Sequence, residues 1–179
     1  MKKLLIIIFI LCFILIGIAQ DNWISPTGHD SNDWDAPQNA YDGDTDTRAS
    51  ILVNPRAWSP YLPLTFNEID CDKVRIWPHA GSVDLNKINV DYWDGSNWIS
   101  FYEGSFTTGQ WNEFSIGSTK KISKIRIKFY NNDQIHEINA YVYEAMVNDV
   151  TPTGWGGKFN TVSIGKWNTV EISKWNGVE

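Results

Sequence analysis

The sequence is poor in cysteine and has no concentrated positive charge, and each shortage removes a class of explanation. Only Cys12 and Cys71 occur in 179 residues, and Cys12 lies inside the N-terminal apolar run. The rest of the chain has one thiol, so no internal disulfide forms and the core must hold the fold unaided. No Cys-x-x-Cys zinc site is present either. The formal net charge is −6, and residues 20–145 hold ten basic against eighteen acidic side chains. Scattered lysines and arginines in an acidic domain do not track a phosphate backbone, which excludes nucleic acid as a partner. Anionic membrane surfaces are disfavoured on the same ground.

Catalytic signatures are missing as well. There is no Gly-x-Ser-x-Gly elbow and no phosphate-binding glycine loop. His136-Glu137 is not followed by the second histidine of a zinc protease. A glycosidase needs paired carboxylates across a sugar, but the clustered acids here lie in one turn that a metal explains better. The chain reads as a non-enzyme.

Lys2 and Lys3 precede an apolar run from Leu4 to Ala19 that ends in Gly17-Ile18-Ala19. This is the layout of an export signal, with cleavage after Ala19. A retained anchor is the alternative, although the run is short for a spanning helix, which needs about 20 apolar residues. Leu11 before Cys12 does not suit a lipidation site. Residues 1–19 are assigned to the signal, 20–147 to the domain, 148–157 to a linker and 158–179 to a repeat segment. Secretion or cell-surface display follows.

The domain is rich in aromatic residues, ten of them Trp among the whole chain, and lacks any useful helical periodicity. Period-2 segments recur instead. In Ile122–Tyr130, Ser123, Ile125, Ile127 and Phe129 alternate with Lys124, Arg126 and Lys128, so one face enters a core and the other meets water. Ile138, Ala140 and Val142 alternate likewise, and Val74 and Ile76 mark a shorter strand. Ile88, Val90 and Tyr92 lead into Asp94-Gly95, then Trp98–Tyr102. That pattern predicts a hairpin on a type I′ turn, whose two central residues take positive φ. Many short strands without helices predict an all-β sandwich or barrel. Asp21–Pro60, rich in Asn, Asp, Pro and Ser, reads as long ordered loops of the kind that carry function.

Asp42, Asp44 and Asp46 crowd three carboxylates into five residues within Asn39–Thr47. Such crowding is repulsive unless water or a cation offsets it. Calcium suits the arrangement because it takes six to eight oxygens from carboxylates, hydroxyls and carbonyls. A solvated Asp/Gly turn is the plain alternative. An EF-hand is excluded, since Thr47 stands where its glycine is required and Val53 where its bidentate glutamate belongs.

Three blocks in order resemble the discoidin, or galactose-binding-like, family, which includes coagulation factor C-type domains and family-32 carbohydrate-binding modules. They are A-Y-D-G-D-T-D-T at Ala40–Thr47; K-V-R-I at Lys73–Ile76 with V-D-Y-W-D-G-S-N-W at Val90–Trp98; and I-S-K-I-R-I-K-F at Ile122–Phe129 with H-E-I-N-A-Y-V-Y at His136–Tyr143. The set covers about residues 22–145. The resemblance implies an eight-stranded jelly-roll β-sandwich and a structural calcium ion joining the acidic turn to the last strand. By position, Asp42, Asp44 and Thr47 would give side-chain oxygens, Glu137 a carboxylate, and Asn39 and His136 carbonyls. Arg48 departs from the aromatic residue usual after this turn. The resemblance further implies a glycan partner, bound on loops at one end of the sandwich.

Sugars bind where an aromatic face meets the C–H face of the ring and planar polar groups read its hydroxyls. The loop candidates are Trp34, Arg48, Arg56, Trp58, Trp77, His79, Asn131 and Asn132. Each has a plain structural reading: Trp77 serves equally as edge packing, and a lone loop histidine is usually a bystander. Trp98 reads as core.

Residues 158–179 repeat every eight, through Lys158-Phe159-Asn160-Thr161-Val162, Lys166-Trp167-Asn168-Thr169-Val170 and Lys174-Trp175-Asn176-Gly177-Val178. An even period keeps each residue type on one face of an extended chain. Three such units are marginal alone, so they dock, self-associate or extend a longer array. That supports a competing reading of the chain as a structural or adhesive surface or fibre component.

Overall fold

The computed structural model describes residues 21–30 and 33–151. The expected signal at 1–19 and the octapeptide segment at 158–179 lie outside the described residues. Within them the chain forms eight strands: β1 (Trp23–Ile24), β2 (Gly28–His29), β3 (Ala49–Val53), β4 (Leu62–Ala80), β5 (Leu85–Trp93), β6 (Trp98–Gly104), β7 (Asn112–Asn131) and β8 (Ile138–Asp149). One 3-10 turn, Pro37–Ala40, precedes β3.

The long strands β4 and β7 tie the sandwich together. β4 pairs antiparallel with β7 along most of its length, from Leu62↔Ile127 to Ile76↔Asn112. β7 passes the ladder on to β5, and β5 to β6. The second half of β4 pairs with β8 from Cys71↔Asp149 to Ala80↔Ala140. β8 also carries β1 and β3. Register shifts between Thr65 and Ile69 and near Cys71 interrupt the β4–β7 ladder, and β8 joins the other edge of β4 from Cys71 onward. Bulges of this kind bend a strand and let it serve two layers.

The expected alternation explains which faces turn inward. Ile125, Ile127 and Phe129 are wholly buried, as are Ala140, Val142, Val74 and Ile76. They join Leu62, Leu64, Ile88 and Val90 in a single core. Burying each large aliphatic or aromatic side chain contributes roughly 1.5–3 kcal/mol, which is how a domain with one thiol stands without cross-links. Cys71 is itself in that core, where burial pushes its thiol up to about 12, so it behaves as a small apolar side chain.

Three sequence readings change. The β5–β6 hairpin forms, but Trp93 pairs with Trp98 across a four-residue loop. Only Gly95 there has positive φ, at 98°, so the turn is not type I′. The Asp94 carboxylate instead accepts the amides of Ser96 and Asn97 at 2.8 and 2.7 Å, an Asx cap that fixes the loop. Trp98 is not core: it is half-exposed and meets Trp93 edge-on on the outer face. Finally, β8 runs to Asp149, into the segment assigned to the linker. Asn148 is buried and bonds Asn22 and Asp72, so the domain extends past residue 147.

Candidate functional site

The acidic turn folds against the middle of β8. The β3–β8 ladder runs from Ala49↔Val142 to Val53↔Ile138, so residues just before Ala49 lie beside Tyr143 and Glu144. The Gly43 amide donates to Glu144 Oε1. Gly43 has φ 81°, a conformation that favours glycine. Within the turn, Asp42 Oδ1 accepts the Asp44 amide at 2.9 Å and Asp42 Oδ2 the Thr47 hydroxyl at 2.7 Å. Asp44 Oδ1 accepts the Asp46 amide at 2.9 Å.

Glu144 is the carboxylate that the sequence reading missed. It is only 3% exposed. Burial raises its pKa above the ordinary carboxylate value, the negative charge of Asp42 adds to the rise, and the Gly43 amide opposes it. His136 and Glu137, assigned to the same site, are instead beyond Ile138. That is the far end of a ladder whose four residue steps span roughly 13 Å. Register therefore removes them from the acidic turn. Asn39 stays nearby, with its side-chain amide donating to the Arg48 carbonyl at 3.3 Å. A signal for Glu144 did exist: it is a carboxylate set among Val142, Ala145 and Val147 in the middle of the final strand.

The next residue outward from the turn opens a second cluster. Arg48 lays its guanidinium over the Tyr141 ring, 4.2 Å from the centroid. Its Nη1 donates to the Tyr143 hydroxyl at 3.4 Å, which strengthens its hold on the proton. His79 approaches from β4, opposite Tyr141 in register. Its ring is 5.8 Å from Tyr141 and meets Tyr143 edge-on at 6.1 Å. β4–β8 pairing passes from Trp77↔Glu144 to Pro78↔Val142, so Tyr143 is the extra residue of a β-bulge, a device that re-aims side chains. The loop between β6 and β7 fixes His79: Thr108 Oγ1 lies 3.2 Å from Nδ1, and the Gly109 amide donates to the Pro78 carbonyl at 2.8 Å. With Nδ1 engaged, Nε2 is the nitrogen left for a ligand. The sequence candidates Arg48 and His79 are thus brought together, flanking two tyrosines that the sequence reading treated as strand.

Tyr141 also forms one wall of a cleft of about 370 Å³ with Ser82, Asp133, His136, Glu137 and Asn139. Asp133 Oδ1 accepts the amides of Ile135 and His136 at 2.7 and 2.8 Å. These bonds, with one to the His136 ring, hold its pKa at about 2. An adjoining hollow is lined by Asp84, Asn132 and Ile135.

The remaining candidates separate. Arg56, at φ 50°, is exposed, and its amide donates to the Asp133 carbonyl at 3.0 Å, which places it at the same loop end as Asn132. Asn131 is buried and committed: its amide bonds the carbonyls of Val53 and His136 at 2.9 and 2.8 Å. It shapes the loop and has no group left for a ligand. Trp34 is 4% exposed and packs on Phe129, with its indole N–H on the Pro60 carbonyl at 3.3 Å. A ring closed into the core offers no stacking face, so Trp34 is structural. Trp58 packs on Tyr130 beneath Lys128. Trp77 is half-buried and meets Trp111 edge-on.

No protein-family model matches the sequence, and no curated protein matches it. Solved structures do match the fold. The C-terminal domain of a chitobiase from Bacteroides fragilis aligns with a TM-score of 0.55 at 16% identity, over 72% of this chain and 97% of that one. The family-32 module of AlyQ, solved with 4,5-unsaturated mannuronic acid, gives 0.53 at 14% identity, over 70% and 97%. The first family-32 module of a family 31 glycoside hydrolase from Clostridium perfringens gives 0.51 at 13% identity, over 73% and 93%. Antiparallel strands around one core, in the order described, give this chain the jelly-roll sandwich fold of the family-32, discoidin-like carbohydrate-binding modules.

Proposed function

We propose that the domain is a non-catalytic carbohydrate-binding module acting outside the cell, with its sugar site on the Arg48–His79–Tyr141–Tyr143 face and the adjoining cleft. The observation that carries this reading is that cluster. It gathers two phenol rings, an imidazole held at one nitrogen and a planar cation without a carboxylate partner among the described residues. Fixed aromatic faces and a few convergent polar groups are what sugar recognition needs. Asn139 and Glu137 extend the polar lining into the cleft. A binding role suits the acids present, because Asp133 is tied to backbone amides and held ionised to about pH 2, which unfits it for proton transfer near neutrality. Export rests on the Lys2–Ala19 segment.

The test is a glycan array with the purified chain, His79→Ala and Tyr141→Ala. Wild type should retain at least one glycan, and each variant should lose about tenfold in affinity while still melting cooperatively. A wild-type chain that binds no glycan, or variants that bind as wild type does, would sink the reading.

We further propose a structural calcium ion at the acidic turn, held by Asp42, Asp44, Thr47 and Glu144 with carbonyls of the turn. Among the described residues no three His, Cys, Asp or Glu side chains gather into a metal group, so hydroxyl and carbonyl oxygens would have to complete the shell. Calcium accepts such a mixed oxygen set. What supports the ion is Glu144, a buried carboxylate whose ionised form burial and Asp42 both disfavour. A cation bound there would offset that cost and pin the turn beneath Arg48.

A further inference from the structure

Building on the glycan reading, we infer that the sugar is anionic and that Arg48 receives its oxyanion, either the carboxylate of a uronic acid or a sulfate ester. Arg48 directly follows a turn holding three carboxylates, yet pairs with none of them. Asp42 accepts the Asp44 amide and the Thr47 hydroxyl, and Asp44 Oδ1 accepts the Asp46 amide, so both face into the turn. The guanidinium turns away onto the Tyr141 ring and the Tyr143 hydroxyl. Lys73, Lys121, Lys124 and Arg126 have carboxylate partners, and Arg75, without one, is half-buried between Trp23 and Trp111. Arg48 is exposed and its plane is held by a ring beneath it, so its outer N–H groups stay free as a fork. Such a fork matches an oxyanion in two parallel hydrogen bonds, about twice as strong as neutral ones. His79 flanks the same ring and places a second polar ring nitrogen beside it.

The inference also sets a polarity for the bound sugar. The cleft on the other side of Tyr141 carries Asp133 and Glu137, which repel an anion. The charged substituent therefore lies toward Arg48 and the neutral hydroxyls toward Asn139.

The test titrates the full chain by calorimetry with uronate tetramers (galacturonate, mannuronate, glucuronate), with sulfated galactan tetramers, and with the carboxyl-reduced or desulfated counterpart of each. At least one acidic tetramer should bind about tenfold tighter than its neutral counterpart, a preference that weakens with salt. Preference confined to the uronates assigns the carboxylate, and preference confined to the sulfated set assigns the ester. Arg48→Gln should bring the ratio near one, and Arg48→Lys should restore only part of it because the fork is lost. Lys120→Gln, the same charge change at an exposed site on β7, should leave the ratio as in wild type. Neutral tetramers bound as tightly as acidic ones would overturn the inference and leave the glycan reading standing. Acidic preference unchanged in Arg48→Gln would overturn the role of Arg48. Binding of no tetramer, acidic or neutral, would remove the glycan reading and this inference together.

Discussion

Beside the Arg75 guanidinium held between Trp23 and Trp111, two further arrays of cations against aromatic rings sit on this sandwich, and they differ in where the positive charge ends. On the outer face of β5–β7, Arg126 is wedged between Tyr61, at 3.8 Å, and Trp98, at 4.5 Å. Its Nε donates to Asp91 at 2.7 Å, and Asp91 is 2% exposed. Lys128 continues the row between Trp58 and Tyr61, and Asn89, also buried, accepts the Tyr61 hydroxyl. Beside β8 the array is Arg48, Tyr141, His79 and Tyr143, with no carboxylate paired to the guanidinium among the described residues. In the first array the Arg126 charge is settled inside the fold on Asp91, and the row covers buried polar side chains. The second leaves its charge at the surface. Cation–aromatic contact alone therefore does not mark a binding site, and the missing counter-charge separates the two.

The largest expected effect breaks this comparison on the structural side. Asp91→Ala removes the partner of a half-buried guanidinium, and breaking such a pair costs about 3 kcal/mol. Urea unfolding should show that loss, and Arg126→Met in the same background should recover much of it by removing the orphaned charge. Arg48→Ala should leave the urea midpoint near wild type, since no buried partner is abandoned. Equal losses at the two sites would erase the distinction.

A second effect tests the turn beneath Arg48. Calcium at a hundredfold excess over its dissociation constant should stabilise the chain by about 2.7 kcal/mol, read as a rise in melting temperature that EDTA reverses. Glu144→Gln should abolish the rise. Without metal, the same variant should melt no lower than wild type, because it removes a buried charge at little change in shape. The pH dependence follows with its own sign. Glu144 has a raised pKa in the fold, so the folded state binds the proton more tightly than the unfolded one. Its contribution is complete below the unfolded carboxylate range and is lost as pH rises through the folded pKa. Metal-free wild type should lose more stability on going from acid to neutral pH than Glu144→Gln does. Calcium should shrink that difference.

Much of the fold was legible because burial on one face forces a period of two. Ile125, Ile127 and Phe129 announced β7, and Ile138, Ala140 and Val142 announced β8. Where the pattern broke, the sequence misled. Glu144 was hidden because the resemblance alone placed the carboxylate at Glu137, whereas the β3–β8 register sets the acidic turn beside Tyr143 and Glu144. Trp34 and Trp98 exchanged roles for a related reason: local sequence does not reveal which side of a loop or hairpin a ring will face once the layers close. Arg48 and His79 lie thirty-one positions apart and meet only because β3 and β4 both border β8. Tyr141 and Tyr143 were visible as strand residues, but their shared use by Arg48 and His79 needed the register.

The smallest expected effect sharpens the boundary between the open array and the cleft beside it. Asp133 is held at about 2 by the amides of Ile135 and His136, so its ionised form is favoured by the fold. Its contribution is present above the ordinary aspartate value of 3.8 and lost as pH falls through about 2. Asp133→Asn keeps an oxygen to accept both amides but removes the charge. The variant should be slightly less stable than wild type at neutral pH, and the gap should close between pH 3.8 and 2, followed by urea unfolding at each pH. Because Asp133 keeps its charge throughout the neutral range, Asp133→Asn should also weaken the repulsion an anionic sugar meets on the cleft side of Tyr141. Acidic tetramers should then bind slightly tighter to this variant while neutral ones bind unchanged. A change in the opposite direction would mean that the charged substituent enters the cleft, reversing the polarity assigned from Arg48.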